Sequence, residues 1–240
     1  MSISQRLDRI VGKLDELRRQ DEDLIAFGAS KHRYQLNPPA SEDEVAAFES
    51  KYGVRLPEGY RVFITTLGNG GAGPWYGLEP LGNGTYDDLD FRSGAIDPGR
   101  PFPHEAAWNL DFENLGGSND DVSDDDAYES LMEEYFDPRW VQGLIRIANY
   151  GCGVTLNLVV NGSEYGNVWV DDRGSDGGIY PDPYFDRTER TDFLTWYETW
   201  LEWSGPHLEK WRRLHTPTGA ALNLPRPGLM TRIARWFGRS

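Results

Sequence analysis

The sequence predicts an α+β fold: a mostly antiparallel sheet packed against helices, with an N-terminal amphipathic helix and a basic C-terminal tail. Three observations lead there. Apolar residues recur at helical spacing up to Leu67, short strand-like runs joined by turn dipeptides occupy 143–180, and a last helical period follows at 191–203. Asn161-Gly162, flanked by VTLNLVV and NVWVDD, is a strong local hairpin signal. Nine tryptophans and twelve tyrosines in 240 residues supply enough apolar surface to bury a sizeable core.

The elements follow in chain order. Ile3, Leu7, Ile10, Leu14 and Leu17, with Leu24 one heptad on, draw an apolar stripe, so residues 3–27 read as one helix interrupted by Asp21. Two full heptads are too few for a coiled coil. Pro38 and Pro39 punctuate. Ser41 and Glu44 form a capping box, Val45, Phe48 and Tyr52 share a face, and Gly53 is the stop. A helix starting near Pro57 carries Tyr60, Phe63, Ile64 and Leu67 toward a core and ends at Gly68. In LGNGGAGPWYGLEPL, residues 67–81, Gly68, Gly70, Gly71 and Gly73 mark a sharp change of direction, and a strand is expected over 74–81. Residues 82–102 read as loop and 117–126 as an acidic loop, followed by a helix over 127–136. Strands are expected at 143–150, 154–160, 167–172 and around Ile179-Tyr180, the first pair joined at Gly151-Cys152-Gly153. In 191–203, Phe193, Trp196, Tyr197, Trp200 and Leu201 line one helical face. After a linker, LMTRIARWFGR reads as a short helix with Leu229, Ile233, Trp236 and Phe237 on one face.

Charge is distributed unevenly. The net is −15, and residues 79–137 hold 17 acidic against 2 basic side chains, while the remainder balances at 22 of each. Such a segment repels phosphates, which argues against direct nucleic-acid binding and for a basic protein partner. The plainer alternative is a solvated surface that aids solubility. The tail from Gly205 is opposite in sign, with 7 basic residues and only Glu209 acidic. It suits an anionic membrane surface, its own chain's acidic segment or a partner; the charge nearby favours the latter two. One cysteine allows no internal disulfide, the first residues lack the pattern of a signal peptide, and no run of about 18 apolar residues occurs. A cytoplasmic location is the expectation.

Chemical motifs are few. Gly68-x-Gly70-x-x-Gly73 matches the dinucleotide fingerprint in spelling, but a helix precedes it and a strand is expected after it, the reverse of what pyrophosphate binding needs. His104-Glu105 lacks the second zincin histidine, since position 108 is Trp. The aspartate runs do not fit a calcium loop. Cys152, between two glycines, has no base assigned to it and reads as a small turn residue. Trp75 and Tyr76 are candidate surface anchors, with core packing as the alternative for each.

The ordered set PPASEDEVAAFESKYGVRLPEGYRVFI, the glycine turn with GPWYGLEPL, LIRIANYGCGVTLNLVVNG and GNVWVDDRGSDGGIYP resembles the SUKH superfamily, whose founding members are Smi/Knr-type regulators of fungal cell-wall synthesis. The resemblance covers roughly residues 36–203. It implies an α+β domain over 36–204; the helical extension at 1–35, the acidic insertion at 111–137 and the basic segment at 205–240 are departures that lie outside what it explains. Similar bacterial domains are widely immunity proteins that bind and block a secreted toxin domain, and others are regulatory scaffolds. The resemblance brings no catalytic residue and no cofactor. The expected function is therefore a non-enzymatic inhibitor of a cognate toxin with a basic surface. The expected contact residues are Asp120, Asp121, Asp124, Asp125, Asp126, Glu133, Glu134, Trp75 and Tyr76. A regulatory scaffold binding an endogenous protein is the alternative; an enzyme would need polar groups converging on Cys152 or His104.

Overall fold

The structure, a computed structural model, describes residues 1–110, 124–183 and 190–215. Helix α1, Ile3–Gln20, starts at a reciprocal capping box between Ser2 and Gln5 and buries Leu7, Ile10, Leu14 and Leu17. A single turn, α2 (Ala29–His32), follows. Helix α3, Glu42–Tyr52, carries the capping box of Ser41 with Glu44 and ends at Gly53 in the left-handed region. Helix α4, Glu58–Thr66, begins after Pro57 and buries Tyr60, Phe63 and Ile64. Helix α5 is Asp124–Tyr135, and helix α6, Phe193–His215, places Phe193, Trp196, Tyr197, Trp200 and Leu201 inside.

Among the described residues, strands β1 (Leu144–Gly151), β2 (Val154–Val159), β3 (Val168–Asp171) and β4 (Ile179–Pro181) form one antiparallel sheet in chain order. The turn from β1 to β2 places Cys152 and Gly153 at φ 55° and 76°, the two left-handed positions that a two-residue hairpin needs. Both faces of the sheet are covered. Ile145, Ile147, Leu156, Leu158, Val168 and Val170 join the main core with α1, α4 and α6. Leu144, Val159, Trp169 and Ile179 face a second, smaller core closed by Ile96, Phe102 and Val141. The helical α1–α6 seam is reinforced where Glu198 accepts from Arg6 (2.9 and 2.6 Å) and Arg9 (2.7 Å).

Three expectations are corrected. The first helix stops at Gln20 and does not reach residue 27. Asp21, 1% exposed, turns its carboxylate back to accept from the N–H groups of Ile25 and Ala26 and from the Tyr34 hydroxyl, which fixes a loop where the stripe would continue. No regular strand runs over 74–81. Gly77 N–H donates to the Pro74 carbonyl (2.9 Å) and Trp75 sits at φ 57°, so the segment is a turn that meets β1 at separate points, through Tyr76, Leu78 and Glu79. The last helix continues past 203 through Pro206 to His215, because Leu208 still finds the core. The glycine run is the expected reversal: Gly71 lies at φ 102°, and a Cβ there would stand 2.5 Å from the Gln35 carbonyl oxygen. The acidic loop in its part up to 123, and the tail helix with its linker beyond His215, lie outside the described residues.

Candidate functional site

Strand alternation puts Arg146, Thr155, Asn157 and Asp171 on the sheet's second face, beside Trp169 and Ile179. There they form a buried polar line. Arg146 donates through Nη1 to Thr155 Oγ1 (2.7 Å), Asn157 Oδ1 (3.1 Å) and Asp171 Oδ2 (2.9 Å). Its Nη2 reaches the Asp87 carbonyl (3.1 Å) and carboxylate (2.9 Å). Arg173 meets Asp171 with two nitrogens, Nε to Oδ1 at 2.7 Å and Nη2 to Oδ2 at 2.8 Å. Burial alone would raise the Asp171 pKa; hydrogen bonds from Arg173 and the charges of Arg146 and Arg173 outweigh it and hold the carboxyl down at about 2.

This line fastens two pieces of the acidic segment. Arg146 holds Asp87 in the chain that leaves Gly84. Arg173 Nη1 donates to the carbonyl of Tyr135 at 2.9 Å, so a cation sits at the C-terminus of α5, where the helix dipole favours one. Tyr135 itself is fully buried; its hydroxyl donates to Asn109 (2.7 Å) and accepts from the Gly178 N–H (3.1 Å). One buried carboxylate, Asp171, thus joins both anchor points.

The expected contact residues divide. Asp120 and Asp121 lie outside the described residues. Asp124, Asp125 and Asp126 open α5, where acidic residues complement the helix N-terminus; their side chains are outside what is described. Glu133 is exposed, whereas Glu134 is half-buried and ion-paired with Arg139. Trp75 and Tyr76 are not on α5's anchor. Both are half-buried in an aromatic group with Phe27 and Tyr150, at centroid distances of 6.1 Å (Phe27–Trp75), 5.0 Å (Phe27–Tyr76) and 4.1 Å (Trp75–Tyr150). Tyr76 N–H donates to the Asn149 carbonyl (3.4 Å), and the Asn149 side chain donates to Asp90 (2.6 Å). Asn149 therefore places the aromatic group beside the acidic segment.

Among the described residues, neither Cys152 nor His104 gathers a site. Cys152 is exposed on its hairpin turn. His104 is buried, its Nε2–H donating to the Trp140 carbonyl (2.9 Å) with Phe102, Trp108 and Trp169 around the ring; burial lowers its pKa. A shallow hollow of about 590 Å³, lined by Glu49, Ser50, Gly53, Val54, Arg55 and Arg61, contains neither. Among the described residues, no helix is long and apolar enough to cross a membrane. Sequence reading missed Arg146, Asp171 and Arg173. The available signal was two-residue spacing: Arg146 alternates with Ile145 and Ile147 in a strand with no solvent face, so its charge needed a buried partner.

A comparison with curated proteins finds no match, and neither does one with solved structures. A family model, by contrast, matches residues 39–189, a span that runs from the capped α3 through the glycine turn and all four strands. On that match, and on the α+β architecture that carries it, the chain belongs to the SMI1 / KNR4 family (SUKH-1).

Proposed function

We propose that this protein is a cytoplasmic, immunity-type inhibitor that neutralises a cognate secreted toxin domain by protein–protein contact, its acidic face meeting a basic surface on the toxin. The observation that carries the reading is the confinement of charge. The whole excess of −15 falls within 79–137, and both described ends of that stretch are fastened to the rigid sheet through Asp171. A field fixed in this way steers a basic partner and lowers the ordering cost of binding it. Family membership fits an inhibitor or a Smi/Knr-type scaffold; among the described residues Cys152 stands exposed on its turn and His104 is engaged by the Trp140 carbonyl.

The test is co-expression with the product of the adjoining reading frame. The expected result is a stable complex and rescue of growth from that product's toxicity. An adjoining frame that encodes no toxin, together with a stable endogenous complex, overturns the inhibitor in favour of the regulatory scaffold.

A further inference from the structure

The acidic segment opens with a small hairpin that electrostatic steering alone does not require. Asp88 and Ser93 exchange both backbone hydrogen bonds, at 2.9 and 3.1 Å, and close a loop of Leu89, Asp90, Phe91 and Arg92. The Asp88 carboxylate accepts from the N–H groups of Asp90 (2.8 Å) and Phe91 (2.9 Å). Arg146 holds the base of the hairpin through Asp87, Asn149 holds its flank through Asp90, and Ile96 N–H donates to the Thr85 carbonyl (3.0 Å). Gly94 closes the return at φ 68°, where a Cβ would stand 2.7 Å from Asp87 Cβ. Leu89 is turned inward at 9% exposure, and Phe91 is left 83% exposed, the most exposed large hydrophobic side chain among the described residues.

A single exposed apolar residue is ordinary. A phenyl ring held out in water by a loop fastened at three places is not, because the same loop could have hidden it if it were free to move. Aromatic side chains dominate binding hot spots, and a pre-ordered one enters a pocket without the usual entropic loss. Exposed Asp88, Asp90 and Arg92 share the hairpin with Phe91, in a segment that is acidic overall, and the Asn149 that holds Asp90 also accepts at its carbonyl from the N–H of half-buried Tyr76.

We propose that Phe91 is the apolar anchor of a protein interface and seats in an apolar pocket rimmed by lysine and arginine on the partner. This rests on the binding reading above but not on the partner's being a toxin. The acidic segment that carries Phe91, 17 acidic against 2 basic residues over 79–137, disfavours an anionic membrane or a nucleic acid, and a second copy of a chain at −15 repels itself.

The test is photo-crosslinking in the native host from Phe91→p-benzoylphenylalanine, with the same substitution at Tyr165, 47% exposed in the β2–β3 connection, as control. The expected result is an adduct at 91 and not at 165, linked beside basic residues of one protein. That protein, purified, should bind the wild-type chain and lose roughly tenfold or more in affinity with Phe91→Ala, while Phe91→Tyr keeps binding and thermal midpoints stay unchanged. Absence of an adduct at 91, an adduct to a second copy, or affinity insensitive to Phe91→Ala overturns the anchor. A toxin complex insensitive to Phe91→Ala removes the anchor and leaves the inhibitor standing. A non-toxic partner that requires Phe91 does the reverse.

Discussion

Asp171 accepts from two arginines in a space with almost no solvent, and its folded pKa of about 2 lies below its ordinary 3.8. A depressed carboxylate pKa contributes stability above the unfolded value, and that stability is lost as pH falls through the folded one. The window runs from about pH 4 down to about pH 2, and the contribution is about 2 kcal/mol. Asp171→Asn keeps the shape but takes the carboxylate from buried Arg173 and leaves Arg146 with Asp87 alone, so a loss of about 3–5 kcal/mol is expected in urea melts at pH 7. A loss under about 1 kcal/mol would mean that Asp87 and the carbonyls alone hold the arginines. His32 makes the opposite kind of test. It is 8% exposed, and its Nδ1 accepts from the Tyr34 N–H (3.0 Å), while its Nε2 finds no partner among the described residues. Burial lowers its pKa to about 4, against a smaller opposing pull from Asp21. A base with a lowered folded pKa leaves the unfolded chain binding more protons between pH 6.5 and 4, so stability falls as pH falls through that window, by up to about 3 kcal/mol. His32→Asn should flatten that part of the stability–pH curve; an unchanged slope would assign it to other groups.

Helix α1 tests whether the first twenty residues are an appendage. Ile10 is fully buried in the same core as Phe63, Tyr197 and Leu158, and Arg6 and Arg9 grip Glu198 on α6. Ile10→Ala should therefore cost about 2–5 kcal/mol, with one cooperative transition by both fluorescence and circular dichroism. Two separated transitions would show that α1 unfolds alone. Such elements were legible in the sequence where local chemistry and burial agree. The Ser41–Glu44 box, the Gly53 stop, the five-residue face of α6 and the strand order each rest on short-range pattern. What was not legible depends on partners distant in sequence. Asp21 ends α1 because Tyr34 and two amides wait for its carboxylate. The 74–81 segment reads as apolar and aromatic, yet Pro74 and Gly77 close a turn where a regular strand was expected beside β1. The site shows the same division: the acidic run and the Trp75–Tyr76 pair are visible as composition, whereas Asp171 and Phe91 acquire meaning only from what Arg146, Arg173 and Asn149 bring to them.

At the scale of the whole molecule, the proposed inhibitor reading divides the candidate surface between two mechanisms. On that reading, long-range attraction would belong to the carboxylates of 79–137 and decay over a Debye length of about 8 Å at physiological salt. Short-range adhesion would belong to groups the sheet holds still. Changes at the first turn and exposed flank of α5 should therefore act mainly on encounter. Combined Asp124→Asn, Asp125→Asn, Asp126→Asn and Glu133→Gln should lower the association rate constant for a basic partner by about tenfold or more at low salt and shallow its dependence on ionic strength, with dissociation little altered. Asp171→Asn, tested at a urea concentration where it remains folded, should instead speed dissociation, because it loosens the mounts of both the hairpin and α5 without removing a surface charge. Stopped-flow association and dissociation at several salt concentrations separate the two. If the α5 variant leaves association and its salt dependence unchanged, the α5 carboxylates are a solubility device, and binding must be sought at the Phe91 hairpin and the aromatic group that Asn149 joins.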